Sequence, residues 1–162
     1  MEYTIRVATT TDMPHVLGLI KELAVFEKED NAVEVTVSDL VDDGFGEKKL
    51  FHCFVAEADN EIVGTALVYP RYSTWKGPVI HLEDLIVTEK MRSSGLGSAL
   101  LTEVVKYGRE LGVKRISWEV LDWNEPAITF YESRGAKVMR DWDVVQLDEK
   151  GMQEFLSKEK IS

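Results

Sequence analysis

Polar and apolar residues alternate over YTIRVA (3–8), which predicts a first strand. The spacing then becomes helical. Thr11 or Asp12 can cap the helix, Pro14 suits its first turn, and Val16, Leu17, Ile20, Leu23 and Ala24 form its apolar stripe. TVSDLVDDGFG (36–46) predicts a second short helix closed by Gly44. FHCFVAEA (51–58) and EIVGTALVYPRY (61–72) predict two strands joined at Asp59-Asn60, a strong hairpin signal. VIHLEDLIV (79–87) is more apolar and reads as a central strand. Leu96, Leu100, Val104 and Leu111 then share one helical face, with Leu101 and Val105 beside them and Gly112 at the end. RISWEVL (115–121) predicts another strand, and EPAITFYESRG (125–135) a short helix stopped at Gly135. KVMRDWDVVQL (137–147) predicts one or two closing strands, and DEKGMQEFLSKEK (148–160) a frayed terminal helix. The order is that of an α/β chain on a mixed sheet, in one domain over residues 1–162.

Composition narrows the class. With 44% apolar and 30% charged residues, the chain reads as a soluble globular protein. No run approaches a membrane span, and the N-terminus lacks the basic and apolar segments of a signal peptide. The single cysteine, Cys53, rules out an intrachain disulfide and points to the cytoplasm. A net charge of −10 argues against a nucleic-acid partner and suits a cationic substrate. His15, His52 and His81 have no metal-ligand spacing with Cys53, so no metal is expected.

One segment demands chemistry. In MRSSGLGSALL (91–101), two glycines stand where a helix begins, although glycine is a poor helix former. Bare backbone at a helix N-terminus lets a phosphate approach the N–H groups. A P-loop is excluded because no lysine follows either glycine at the right offset. The dinucleotide fingerprint fails at Leu100, where it needs Gly or Ala.

What remains is Arg-x-x-Gly-x-Gly, Arg92 to Gly97, between a strand and a helix. Together with LEDLIV before it and WNEPAITFYESRGA after it, this resembles the GCN5-related N-acetyltransferase (GNAT) superfamily. LIKELAVFE, DGFGE, FHCFVAE and GLGS extend the likeness to the diamine/polyamine (spermidine/spermine) N-acetyltransferases, over most of residues 5–136. The resemblance implies a GNAT fold: a mixed, mostly antiparallel central sheet, splayed at the acetyl-CoA site and flanked by helices. It also implies a homodimer and acetyl transfer to a small cationic amine by direct attack in a ternary complex.

Such transfer requires a deprotonated amine, a stabilised carbonyl oxygen and a protonated leaving thiolate. An alkylammonium has a pKa near ~10.4, so the site needs a base. A carboxylate in the middle of strand HLEDL is costly against a packed core, which singles out Glu83 and Asp84. Alternation puts these two on opposite faces unless a bulge intervenes. The resemblance selects Glu83 as the base, acting through water, and leaves Asp84 on the substrate side or in a structural role. It makes Tyr131 the acid near the coenzyme sulfur; a phenol with a pKa near ~10 suits that task. The backbone N–H groups of Ser93, Ser94, Gly95, Leu96, Gly97 and Ser98 would receive the pyrophosphate, with Arg92 near its charge and Ser98 also able to cap the helix. By the same likeness Leu85, Ile86 and Val87 offer backbone hydrogen bonds to the pantetheine arm. Asn124, Pro126 and Ala127 stand at the coenzyme side of the next helix. Phe26, Glu27 and, more loosely, Trp75 match positions that meet the polyamine. SWEV (117–120) departs from the family pattern, so Trp118 and Glu119 bear on substrate identity. Three alternatives stay open: a lysine-like amino acid such as thialysine, whose carboxylate would need Arg71 or Lys76; a protein lysine; and a non-catalytic acetyl-CoA-binding module.

Overall fold

A computed structural model describes residues 2–159. The chain forms two compact units, divided after Leu121.

In the first unit, strands β1 (Thr4–Val7), β2 (His52–Ala58), β3 (Glu61–Ser73), β4 (Gly77–Val87) and β5 (Ile116–Ser117) make one sheet in the order β1-β2-β3-β4-β5. The first four are antiparallel, and β5 joins β4 in parallel. Asp59 and Asn60 both take the left-handed conformation, φ 50° and 63°, as the predicted two-residue hairpin requires. β3, rather than β4, is the middle strand, and its positions 63–68 are buried throughout. β4 pairs with β5 only at Ile80–Ile116 and His81–Ser117. From Leu82 to Val87 it keeps its ladder with β3 alone, so the sheet opens along that edge.

Helices cover both faces. Cys53 and Val55 of β2 point to one side and pack with Met13, Val16 and Leu17 of α1 (Met13–Phe26) and Leu40 of α2 (Val37–Phe45). Phe54, on the opposite side by alternation, meets Tyr107 of α3 (Leu96–Leu111) edge to face, ring centres 5.8 Å apart. Leu96, Leu100, Leu101 and Val104 of α3 are buried, whereas Val105 and Leu111 of the predicted stripe are exposed. Gly64 lets this helix approach: a Cβ there would sit 3.0 Å from Leu100 Cδ1.

Several local predictions need correction. Asp12 occupies the residue before α1, but its carboxylate turns back to Arg6 (2.7 Å) and to the N–H of Thr9 (2.8 Å). It thus closes a short 3-10 turn, Thr10–Asp12, instead of capping α1. Gly44 lies inside α2, which ends at Gly46. The strand predicted over 115–121 shrinks to Ile116–Ser117, because no further ladder partner faces it.

The second unit carries α4 (Glu125–Ser133) and α5 (Glu149–Lys158). Asp148 caps α5 through the Gly151 N–H, and Lys160 of the predicted terminal helix lies outside the described residues. Residues 137–147 form no strand, contrary to the alternation read there. Of their apolar members Met139, Trp142, Val144, Val145 and Leu147 are exposed, Val145 at 91% and Trp142 at 68%. Alternation supplies only one side of a strand; the ladder needs a neighbour.

Candidate active site

The glycine segment follows β4 through a short turn, Glu89–Met91. Ser93 and Gly95 both have positive φ, 66° and 87°, and Gly95 occupies the position before α3. A Cβ at Gly95 would meet nothing within 4 Å, so the glycine serves the backbone conformation and not tight packing. Gly97 lies in the first helical turn, where a Cβ would touch only Val87 Cγ2 at 3.8 Å. Helical bonding starts with the Ala99 N–H on the Gly95 carbonyl, 3.1 Å. The N–H groups of Leu96, Gly97 and Ser98 therefore precede the first helical bond, and the first turn holds no acidic residue. A sixteen-residue helix opening this way suits a diphosphate. Ser98 lies within α3 and makes no capping bond, which corrects its predicted second role. Ser94 Oγ is turned to the Met91 carbonyl.

Arg92 is gripped from α1. Its Nη2 lies 3.5 Å from Glu22 Oε2, its Nε donates to the Val87 carbonyl at 3.3 Å, and its guanidinium stands over the Phe26 ring at 5.4 Å. The sequence places Phe26 with the substrate and Arg92 with the coenzyme; the fold puts the two side chains in contact.

Glu83 sits in a β-bulge. Leu67 pairs with Asp84 and Val68 with Leu82, leaving Glu83 as the extra residue of β4. The bulge overrides the strict alternation that would have separated Glu83 from Asp84. Glu83 is exposed and Asp84 half-buried. Burial first, then the charges of Glu83 and Glu27, push the Asp84 carboxyl from 3.8 up to about 6. Glu27 is raised too, by burial and by Glu29. Glu27, Glu83 and Asp84 thus form an electronegative group without strand alternation having predicted it.

Two participants escaped the sequence reading. Burial first, and then the negative charge of Glu83, raise the pKa of Tyr69. His81 is 6% exposed, with Arg71 Nη1 at 3.3 Å and Ser117 Oγ at 2.9 Å from Nδ1. Arginine can only donate, so Nδ1 accepts and the ring is neutral. Burial lowers its pKa accordingly, against the opposing pull of Glu83 and Glu119. Tyr69 lies opposite His81 in the ladder, and counting back from the Ser73–Gly77 turn would have revealed that pairing. Glu119 is exposed and Trp118 half-buried just beyond β5. Trp75 is 82% exposed at the tip of the β3–β4 connection, where Ser73 Oγ accepts from the N–H groups of Trp75 and Lys76. Leu85 and Val87 are half-buried and Ile86 buried, all on the stretch of β4 past its pairing with β5.

The remaining predicted residues belong to the second unit. Asn124 Oδ1 accepts from the Ala127 N–H at 3.4 Å, capping α4, and Pro126 occupies the first turn. Tyr131 is half-buried on α4, its ring 5.5 Å from that of Phe130. Cys53 is buried, hydrogen-bonded with Thr65, and burial pushes its thiol up to about 11, which keeps it protonated and a poor nucleophile. Among the described residues, no group of three or more His, Cys, Asp or Glu could hold a metal ion, and no helix is long and apolar enough to cross a membrane.

Comparison with known proteins adds sequence and fold relatives. Residues 19–136 match the acetyltransferase (GNAT) family. The thialysine N-epsilon-acetyltransferase of Bos taurus is 36% identical, over 95% of this chain and 97% of its own length. The spermidine/spermine N(1)-acetyltransferase-like protein 1 of Homo sapiens is 37% identical over 83% of this chain but only 20% of its own. The L-ornithine N5-acetyltransferase of Arabidopsis thaliana is 29% identical over 88% of this chain and 83% of its own. Among solved structures, an integron cassette protein from V. cholerae superposes with a TM-score of 0.79 at 21% identity, over 98% of this chain and 99% of that one.

Proposed function

The chain belongs to the acetyltransferase (GNAT) family and is an acetyl-CoA-dependent N-acetyltransferase, and from that premise we propose that its acceptor is a small amine carrying a second positive centre, a diamine or polyamine. The observation that carries this reading is the gathering of Glu27, Glu83 and Asp84, where burial first and then the two neighbouring charges raise the Asp84 pKa to about 6. A bound dication relieves the repulsion among these carboxylates, whereas a neutral amine does not.

In this reading Glu83, whose charge is felt at the neighbouring Tyr69, takes a proton from the ammonium through a water. Asp84 and Glu27 attract the distal cation, and Trp75, Phe26, Trp118 and Glu119 line its approach. The amine nitrogen then forms its bond to the acetyl carbon as the carbon–sulfur bond breaks. Tyr131 gives its proton to the departing sulfur, and the nitrogen's remaining extra proton passes through solvent to restore the Tyr131 hydroxyl. The coenzyme supplies the activated acetyl group. The N–H groups from Ser93 to Ser98 with Arg92 hold its pyrophosphate, Leu85 to Val87 its pantetheine arm, and Asn124, Pro126 and Ala127 its far side. The family match runs across Leu121, which supports treating the two units as one acetyltransferase domain. Met139, Trp142, Val144, Val145 and Leu147, all exposed, favour a homodimer in which a second copy covers them. The lone buried thiol suits a cytoplasmic setting.

A second reading has a specific observation behind it. Arg71 reaches His81, and its charge acts on Tyr69 in opposition to that of Glu83, so a cation shares neighbours with the proposed base. It could receive the carboxylate of an amino acid such as thialysine or ornithine, the compounds that name several relatives. Steady-state acetyl transfer to putrescine, spermidine, thialysine, ornithine, lysine and a lysine peptide decides between them. A higher kcat/KM for spermidine or putrescine than for the amino acids is expected. The reverse order, abolished by Arg71→Ala, replaces the polyamine reading with the amino acid one. Coenzyme binding without transfer to any amine leaves a binding module.

A further inference from the structure

Glu22 lies on α1, away from the glycine segment in sequence, yet its carboxylate gathers that segment's approach. Oε1 accepts the hydroxyl proton of Thr88 at 2.8 Å. Oε2 accepts the N–H of Glu89 at 3.2 Å and faces Arg92 Nη2 at 3.5 Å. Thr88 is the residue directly after β4, Glu89 opens the turn that follows, and Arg92 begins the Arg-x-x-Gly-x-Gly run. The same turn is fixed from the sheet side by the Thr88 N–H on the Val63 carbonyl at 2.9 Å. Phe26, one helical turn beyond Glu22, places its ring under the Arg92 guanidinium. One carboxylate therefore holds a hydroxyl, a backbone N–H and a guanidinium from three successive parts of the link between β4 and α3.

A carboxylate beside an anion site is unfavourable as a direct contact, since it repels phosphate. Its value must come through the groups it orients. We propose that Glu22 is a positioning residue for the coenzyme: it fixes the turn after β4 and the direction of Arg92, so that the guanidinium and the first N–H groups of α3 converge on the pyrophosphate. Preorganisation of this kind lowers the cost of ordering the loop on binding. The proposal rests on the reading of residues 92–98 as the pyrophosphate site.

The test compares acetyl-CoA with acetyl-pantetheine, which has the same thioester and no pyrophosphate. In the native enzyme, acetyl-CoA should have a much lower KM than acetyl-pantetheine. Glu22→Ala should raise the KM for acetyl-CoA about tenfold and leave kcat at saturation within about twofold. Its kcat/KM for acetyl-pantetheine should be unchanged. Glu22→Gln keeps one acceptor oxygen for Thr88 and should fall between the two, which also guards against an alanine variant that does not fold. Equal losses with both donors mean that Glu22 is only structural and overturn the proposal, as does an unchanged KM for acetyl-CoA in both variants. If the native enzyme does not distinguish the two donors, the pyrophosphate reading of residues 92–98 fails instead.

Discussion

At Asp84 burial and two neighbouring carboxylates act in the same direction, raising its pKa to about 6 against an ordinary 3.8. The folded state therefore binds this proton more tightly than the unfolded chain does. Below the unfolded pKa both states are protonated and no penalty exists. Between about 3.8 and about 6 the unfolded chain has lost this proton while the folded form still holds it. Stability therefore falls across that window by on the order of 2–3 kcal/mol relative to acid conditions, and the loss is complete once pH has passed about 6. Asp84→Asn should accordingly gain stability over the native protein at pH 7.5, with the gain shrinking towards pH 4, as read by urea titration at both pH values. A polyamine that pairs with this group should drive off its proton: calorimetry at pH 6 in two buffers of different ionisation enthalpy should detect fractional proton release. Tyr131 is tested differently. Tyr131→Phe should keep fold and coenzyme affinity while lowering turnover by roughly 10²–10⁴, if general acid catalysis is its role. Unchanged turnover with chemistry shown to be rate-limiting removes it from the mechanism.

The element that carries the coenzyme proposal is α3, because its first turn offers N–H groups no helical carbonyl can use. Gly97→Val is the direct probe. The Cβ meets only one methyl at 3.8 Å, and valine is tolerated in a helix at a cost below about 1 kcal/mol, so the fold should survive. The added methyl groups project from the turn that would receive the pyrophosphate. CoA affinity measured by calorimetry should drop at least tenfold while the melting temperature stays within a few degrees. Unaltered affinity in a folded variant removes the phosphate role from this helix.

For the molecule as a whole, the net charge of −10 becomes relevant through where its carboxylates gather. Glu27 and Glu83 lie near the surface, so their pull on a distal ammonium is screened over a Debye length of about 10 Å at 0.1 M salt. Raising ionic strength should depress kcat/KM for spermidine more than for a monoamine, and Glu27→Gln should narrow that gap with acetyl-CoA affinity intact. Equal salt dependence for both amines, with thialysine outperforming them, shifts the assignment to amino acid substrates.

Much of this was legible in the linear pattern because local rules act locally. Asp59-Asn60 specified the β2–β3 hairpin, since few residues accept two successive left-handed conformations. The Arg92–Gly97 spacing located a helix start with bare backbone, and the order of motifs on either side pointed to the acetyltransferase family. Tertiary structure decided the rest. Strand length depends on a partner, so residues 118–121 and 137–147 left the sheet although their pattern alternates. A bulge depends on the register of two strands, so Glu83 and Asp84 became neighbours in field where alternation alone separates them. Glu22 reaches Thr88 across 66 residues of sequence, a contact that no local spacing encodes, because it exists only once α1 has packed beside the end of β4.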